Sequence, residues 1–264
     1  MPELTVTTAG GVATVVIDNP SRRNSITLEM WQQFVPLLDE LAADPDVRVL
    51  VIRGSGENFS AGADIGDLDR ILRDPGLPDG AWVTRAEEAL AAFPKPTVAA
   101  IHGYCVGGGW EIAGACDIRI STDGSTFGIT ASRIGIVYPL SGISRLVRLA
   151  GEATARYLLF SGDTVDASTA FSMGLVTKVV PAAHFAGEIA SIATTLSYRS
   201  QLSIVAMKSL IGALGARAHE LDAELARWQA ESDNSDDPAI GAAAFAAREQ
   251  PTFTWNASTR NRAT

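Results

Sequence analysis

Pro94-Lys95-Pro96-Thr97-Val98-Ala99-Ala100-Ile101-His102-Gly103-Tyr104-Cys105-Val106-Gly107-Gly108-Gly109-Trp110-Glu111 changes character twice along its length. The apolar run behind the prolines predicts a short buried strand. Gly107, Gly108 and Gly109 then turn the chain into a segment that can open a helix at Glu111. Three consecutive glycines leave backbone N–H groups bare, with no side chain to hold a ligand away. The partial positive charge of a helix N-terminus falls on the same spot. An oxygen that turns negative can be held there, with a carboxylate within one turn of it. These residues read as catalytic machinery.

A second stretch of small residues, Gly54-Ser55-Gly56-Glu57-Asn58-Phe59-Ser60-Ala61-Gly62-Ala63-Asp64-Ile65, follows another apolar strand at Val47 to Arg53. Further motifs are Asn19-Pro20 with Asn24-Ser25, Cys116-Asp117, and Thr126-Phe127-Gly128. Towards the end come Ser161-Gly162-Asp163, Ala170, Gly174-Leu175-Val176 and Gln250-Pro251-Thr252-Phe253. In this order the motifs resemble the crotonase superfamily, also called the enoyl-CoA hydratase/isomerase family. Its pattern is a Phe-Ser-Ala-Gly-Ala-Asp-type loop, a Gly-Gly-Gly-x-Glu turn and a Cys-Asp before the next strand. The resemblance covers nearly the whole chain. It implies an α/β fold, a ClpP-like spiral of ββα units over residues 1–195. A helical region over 196–264 would serve trimerisation and closure of the site, in a homotrimer or dimer of trimers.

The resemblance also implies a site. The substrate would be a CoA thioester, with no permanently bound cofactor and no metal. The N–H groups of Ala63 and Gly108 would polarise the thioester carbonyl and hold the enolate oxygen; one such donor is worth roughly 3 kcal/mol of barrier. Read alone, either turn is equally a place where backbones pack closely. The Ala61 carbonyl would meet the adenine end of CoA, beside Asp64, which also suits a helix cap. Arg22, Arg23 and Lys95 are candidates for holding the anionic CoA against the acidity of the chain.

Glu111 would act as the acid/base. In hydratases of the family a second glutamate follows the Phe-Gly strand, and the pair positions water and moves a proton to the α-carbon. Here that position is Ala131, and no Asp or Glu lies between Gly124 and Ala150. One carboxylate still permits double-bond isomerisation or hydration, because a single group can take a proton from one carbon and return it to another. Thr130 and Gly135-Ile136-Val137-Tyr138 resemble the malonyl-type CoA decarboxylase branch, in which the Tyr orients a departing carboxylate. Tyr138 reads equally as a core or rim aromatic, and some decarboxylases of that branch carry His where this chain has Ala63. A catalytically inactive CoA-binding homologue is the non-enzymatic alternative. Trp110 reads as pocket or core, His102 as structural, and His184 and His219 as surface groups.

The bulk properties set bounds. The chain has 264 residues, 47% hydrophobic and 19% charged, enough for a sizeable core. A net charge of −9 argues against nucleic acid or an anionic membrane as a partner. Cys105 and Cys116 form neither a disulfide framework nor a metal cluster and read as small core residues. Met1-Pro2-Glu3-Leu4 opens no signal-peptide pattern and no apolar run reaches spanning length, so the expectation is a soluble cytoplasmic protein. A dinucleotide fold would need a different glycine spacing. A serine hydrolase would need a Gly-x-Ser-x-Gly elbow, and a P-loop would need Gly-Lys-Ser/Thr.

Local patterns place the elements. A hairpin is expected around Ala9-Gly10-Gly11, and a helix over Thr27 to Ala43 with Leu28, Trp31, Phe34, Val35, Leu38 and Leu41 at helical spacing. Strands are expected at Val47 to Ile52, Val98 onward, Ile118 to Ser121 and Phe127 to Thr130. Gly66 to Gly80 reads as a loop or frayed helix, and the chain as mostly helical from Thr154. Asp236-Asp237-Pro238 reads as a helix start.

Overall fold

A computed structural model describes residues 2–77, 81–214 and 218–256. The expected hairpin is β1 (Glu3–Ala9) antiparallel to β2 (Val12–Asp18), turned by Gly10 and Gly11 at φ +57° and +80°. Helix α1 (Leu28–Ala43) follows, with the Thr27 hydroxyl accepting from the Met30 N–H at 3.4 Å as its cap. Its apolar stripe buries Leu28, Trp31, Phe34, Leu38 and Leu41. Next come β3 (Val49–Gly54), the five-residue α2 (Leu68–Leu72), α3 (Trp82–Ala91), β4 (Thr97–Ile101), β5 (Tyr104–Val106) and α4 (Gly108–Ala115). The segment expected to be loop or frayed helix thus holds one short helix, and its residues 78–80 lie outside the described residues.

After β6 (Ile118–Thr122) and β7 (Thr126–Gly128), helix α5 (Leu140–Ser161) starts well before Thr154 and breaks at Gly151, where φ is +79°. The strand at Phe127 stops at Gly128, because the chain curls into a single 3-10 turn over Ala131–Ile134. Two strands interrupt the stretch expected to be helical. These are β8 (Thr164–Asp166), antiparallel to β7, and β9 (Lys178–Val180), parallel to β6, on either side of α6 (Ala167–Ser172). Three residues are too short to show a period, so only their pairing marks them as strands. The tail is α7 (Ala182–Tyr198), α8 (Gln201–Ala213), α9 (Ala218–Asp233) and α10 (Asp237–Ala247), the last opening at Asp237-Pro238 as expected.

The strands form two sheets, β1-β2-β3-β4-β6-β9 and β5-β7-β8. From β4 to β7 the chain alternates between them, which is the spiral of repeated turns. All neighbours in the first sheet beyond the hairpin are parallel. Parallel strands covered on both faces explain the unbroken apolar runs. Leu50, Ile52, Ala99 and Ile101 face the main core with α1, α3 and α4, while Val49, Val51, Val98 and Ala100 face Ala193, Phe185 and Ile189 of α7. Leu202, Val205 and Trp228 form a separate cluster in the tail, with Trp255 set edge-on against Trp228 at 6.2 Å. Cys105 and Cys116 are buried free thiols. Among the described residues no helix is long and apolar enough to cross a membrane.

Candidate active site

Strand β5 brings the two glycine-rich stretches together. Its Tyr104 carbonyl accepts from the Ser60 N–H at 2.8 Å, and its Val106 N–H donates to the Ser60 carbonyl at 3.1 Å. The loop Ser60 to Ala63 therefore lies along the entrance to α4. The approach is as close as backbone allows. A Cβ on Gly62 would fall 2.9 Å from the Val106 carbonyl, and one on Gly108 would fall 3.1 Å from the Ala63 nitrogen. Gly62 also sits at φ +106° and Gly107 at +54°, conformations that glycine adopts without strain. Ala63 pairs through its neighbours, the Gly62 carbonyl accepting from Ile26 and the Asp64 N–H donating to Ile26, both within 2.9 Å. Its own N–H, like that of Gly108, has no acceptor among the described residues. Two bare donors thus stand side by side at a helix start.

Glu111 lies one turn into α4, buried, with its N–H donating to the Gly107 carbonyl at 3.1 Å. Its Oε1 has no hydrogen-bond partner among the described residues. Burial pushes its carboxyl well above the ordinary carboxylate range; the nearby Glu87 charge reinforces this and Arg145 opposes it. Gly108, Ala63 and Glu111 line one cavity of about 70 Å³, together with Ala61, Thr130, Ala131 and Tyr138. An open cleft of about 970 Å³ shares Ile65, Leu68, Leu72, Ile136 and Tyr138 with it. Fixed donors and a buried carboxyl on one cavity can stabilise a carbonyl oxygen and move a proton beside it.

The enoyl-CoA hydratase/isomerase family model matches residues 7–256. A crotonyl-CoA hydratase of Syntrophomonas wolfei is 32% identical over 73% of this chain and 75% of its own length. A short-chain-enoyl-CoA hydratase of Clostridium acetobutylicum is 31% identical over 76% of this chain and 78% of its own. The crystal structure of an enoyl-CoA hydratase/isomerase family member superposes with a TM-score of 0.92 at 42% identity, covering 97% of this chain and 99% of the other. The chain belongs to the enoyl-CoA hydratase/isomerase family. Its α/β fold is the crotonase fold, and the acyl-CoA enzymes of this family act on CoA thioesters.

Within this crotonase-fold chain, the structure gathers most of the residues singled out in the sequence. Ala131, where the sequence lacks the second carboxylate, is buried on the cavity wall, and among the described residues Glu111 is the one charged side chain lining that cavity. Thr130 lines it as well. The Tyr138 hydroxyl donates to the Gly107 carbonyl at 3.1 Å, tying the chain ahead of α5 to the glycine turn. Burial, with Glu111 and Glu87 nearby, pushes the Tyr138 phenol well above its usual range.

At the mouth, the exposed Ala61 donates its N–H to the Arg23 carbonyl at 2.9 Å. Arg22 Nη1 pairs with Asp64 Oδ2 at 2.8 Å, and the Arg23 guanidinium lies 5.0 Å over the Tyr104 ring. Asp64 caps a 3-10 turn by accepting from the Gly66 N–H at 2.9 Å. That bond, with help from Arg22, holds its carboxyl below the ordinary value. Ala61, Asp64, Arg22 and Arg23 therefore form one patch.

Lys95 does not join them. It is buried, donating to the Leu41 and Asp44 carbonyls at the end of α1, and burial lowers its pKa to about 8. Flanking a buried strand, it serves the scaffold. Trp110 stacks edge-on against Phe127 at 6.5 Å and belongs to the core. His102 is structural as expected, its Nε2 bonding the Gly56 carbonyl at 3.0 Å. His184 is exposed, and the His219 side chain lies outside the described residues.

Two site residues were not singled out in the sequence. Glu87 on α3 is wholly buried, its Oε1 accepting from Arg145 Nε at 2.8 Å. The signal was present: Val83, Glu87 and Leu90 share the i, i+4, i+7 stripe that α3 turns to the core. Trp31 is the second, lying under the turn with its Cζ2 2.9 Å from where a Gly108 Cβ would stand.

Proposed function

We propose that this chain binds an enoyl-CoA thioester with its carbonyl oxygen between the Ala63 and Gly108 N–H groups, and that Glu111 carries the proton. The observation supporting it is the single cavity onto which both donors and one carboxyl open. Polarising the carbonyl acidifies the α- and γ-carbons. The enolate that forms on proton transfer is stabilised by dipoles that need no reorganisation. Glu111 alone can shuttle a proton between two carbons, which supports double-bond isomerisation. Hydration, the activity named for the relatives, would here run without a second carboxylate to orient the water. Ala61, Asp64, Arg22 and Arg23 would hold the CoA. The family resemblance further supports a homotrimer or dimer of trimers, in keeping with Met207, Ile211 and Leu214 exposed on and just after α8.

A second reading, decarboxylation of a malonyl-type CoA, is favoured by Tyr138 and Thr130 on the cavity wall and by the absence of a paired carboxylate there. Loss of CO2 leaves its electron pair as the same enolate, which then needs only a proton donor, the role a protonated Glu111 fits.

Mass spectrometry and chromatography after incubation with crotonyl-CoA, a 3-enoyl-CoA, malonyl-CoA and methylmalonyl-CoA separate these outcomes. Gain of water or a moved double bond supports the first reading, and loss of CO2 supports the second. CoA binding without turnover of any of the four supports an inactive homologue.

A further inference from the structure

Glu87 has no place in the chemistry described for the family motifs, and its setting is costly. It is 0% exposed on the apolar face of α3, between Val83 and Leu90. One oxygen binds Arg145, and the other, Oε2, has no partner among the described residues. Apolar residues of similar volume commonly replace a buried ion pair with no loss of stability. Stability therefore gives a poor reason for this pair. Its position gives a better one. Helix α3 packs directly on α4, which carries Glu111, and α5, which carries Arg145, packs on both. Arg145 reaches the wall of a separate open groove lined by Gly114 and Lys208. The cation therefore has a solvent-facing side, while the carboxylate has none.

We propose that Glu87, clamped by Arg145 behind α4, is a positioning residue whose buried negative charge keeps the proton on Glu111 between turnovers. This rests on Glu111 being the proton-transfer group, and it favours the reactions in which Glu111 donates first, decarboxylation or the α-protonation of hydration, because isomerisation has to begin from the ionised carboxylate. The two glutamates sit on helices packed together and both present a partnerless buried oxygen, and like charges buried close together disfavour one another. The other groups around Glu111 are few. Tyr138 approaches from the chain ahead of α5, and Cys105 lies on β5; both are held neutral by burial. From β4 no titratable side chain reaches Glu111, and its neighbour His102 turns to Gly56. Arg145 is the single cation among the groups acting on Glu111, and Glu87 already engages it. With the Glu87 charge present, Glu111 is poised to donate to a carbanion. Without it, Arg145 acts on Glu111 unopposed and the proton is held less tightly, by burial alone.

The test reads Glu111 directly, so that it stands apart from turnover. Infrared difference spectra of the full-length protein, with the E111Q variant identifying the Glu111 signal, report its protonated carboxyl as a function of pH. Wild type is expected to show Glu111 protonated at neutral pH. In Glu87→Gln the proton affinity of Glu111 should fall roughly ten-fold or more, and Glu87→Asp should restore it in part. With an active substrate, the corresponding limb of the kcat/KM profile should move to lower pH in E87Q. An unmoved Glu111 signal in folded E87Q overturns the proposal. If E87Q does not fold, the wild-type spectrum still decides: Glu111 ionised at neutral pH, or Glu87 carrying the proton instead, is equally fatal.

Discussion

The two ends of α4 hold charged groups of opposite kinds. At its N-terminal end Glu111, the Ala63 and Gly108 N–H groups and Glu87 Oε2 all lack partners. Past its C-terminal end Asp117 faces solvent with one oxygen fully engaged, accepting from the Thr97 N–H at 2.8 Å, the Thr97 hydroxyl at 2.9 Å and Lys208 Nζ at 2.7 Å. Nearby, Arg119 is spent on the Leu175 and Cys116 carbonyls. Both clusters flank the same helix, so helix propensity cannot explain the difference. A scaffold satisfies most of the polar atoms it buries, because an unmade bond costs about 1–3 kcal/mol. A reactive centre must leave atoms unmade for a substrate to complete. On the proposed function, the Cys-Asp half of the family pattern belongs to the architecture and the Gly-Gly-Gly-x-Glu half to the chemistry.

That division is open to breakage at both ends. The largest effect on activity is expected at the open end. Glu111→Gln should lower kcat roughly 10²–10⁴-fold, as loss of a general acid–base does, with the melting temperature preserved or raised. Gly108→Ala should cost at least roughly 10²-fold, since its Cβ would stand 2.9 Å from Trp31 and 3.1 Å from the Ala63 nitrogen, inside the oxyanion position. At the closed end Asp117→Ala should behave in the reverse sense. It strands the Thr97 N–H while Lys208 keeps the Lys95 carbonyl, so urea unfolding should show a loss of about 1–2 kcal/mol, while kcat per folded molecule stays near wild type. A D117A protein as stable as wild type but inactive would erase the contrast.

The same contrast explains what could be read from the sequence. The glycine turn was legible because Gly62, at φ +106°, and Gly108, at its approach to Ala63, leave no room for a side chain. The missing second carboxylate was legible by counting from Phe127-Gly128 to Ala131. Glu87 was overlooked although the stripe of Val83 and Leu90 carries it, because a glutamate beside Glu88 and Arg85 looks like a solvated face until α3 is rotated onto the core. Strands β8 and β9 were illegible for a different reason. Each is defined by its partner across the sheet, and three residues hold no pattern of their own. Lys95 misled because a lysine between prolines looks exposed, whereas its ammonium finds two carbonyls inside.

A smaller effect concerns pH. Glu111 holds its proton more tightly folded than unfolded, so between the ordinary carboxylate value and its raised one the native state binds the extra proton. Stability then falls as pH rises through that window. The lowered Lys95 acts at higher pH and in the opposite sense: between about 8 and its usual value the unfolded state binds more protons, and stability rises. Unfolding free energies from pH 5 to 9 should therefore show a downward drift in wild type that E111Q removes. The Lys95 contribution should remain in both proteins. Equal slopes in the two proteins would mean that Glu111 is not held protonated by the fold.

The smallest expected effect lies at the mouth, where the fold gives Arg22 a partner it barely needs. Its side chain is 68% exposed, and Asp64 is already capped by Gly66, so the pair contributes at most about 0.5 kcal/mol. Arg22→Gln should leave the unfolding midpoint unchanged within error. If the patch of Arg22, Arg23 and Ala61 receives an anionic CoA, the same variant should raise KM a few-fold with kcat untouched. The difference should shrink as salt rises, because exposed charges beyond a Debye length of about 8 Å are screened at physiological ionic strength. An unchanged KM at low salt would leave Arg22 a surface group that orders Asp64. A change in kcat would carry the open, reactive character of the α4 N-terminus outward to the rim.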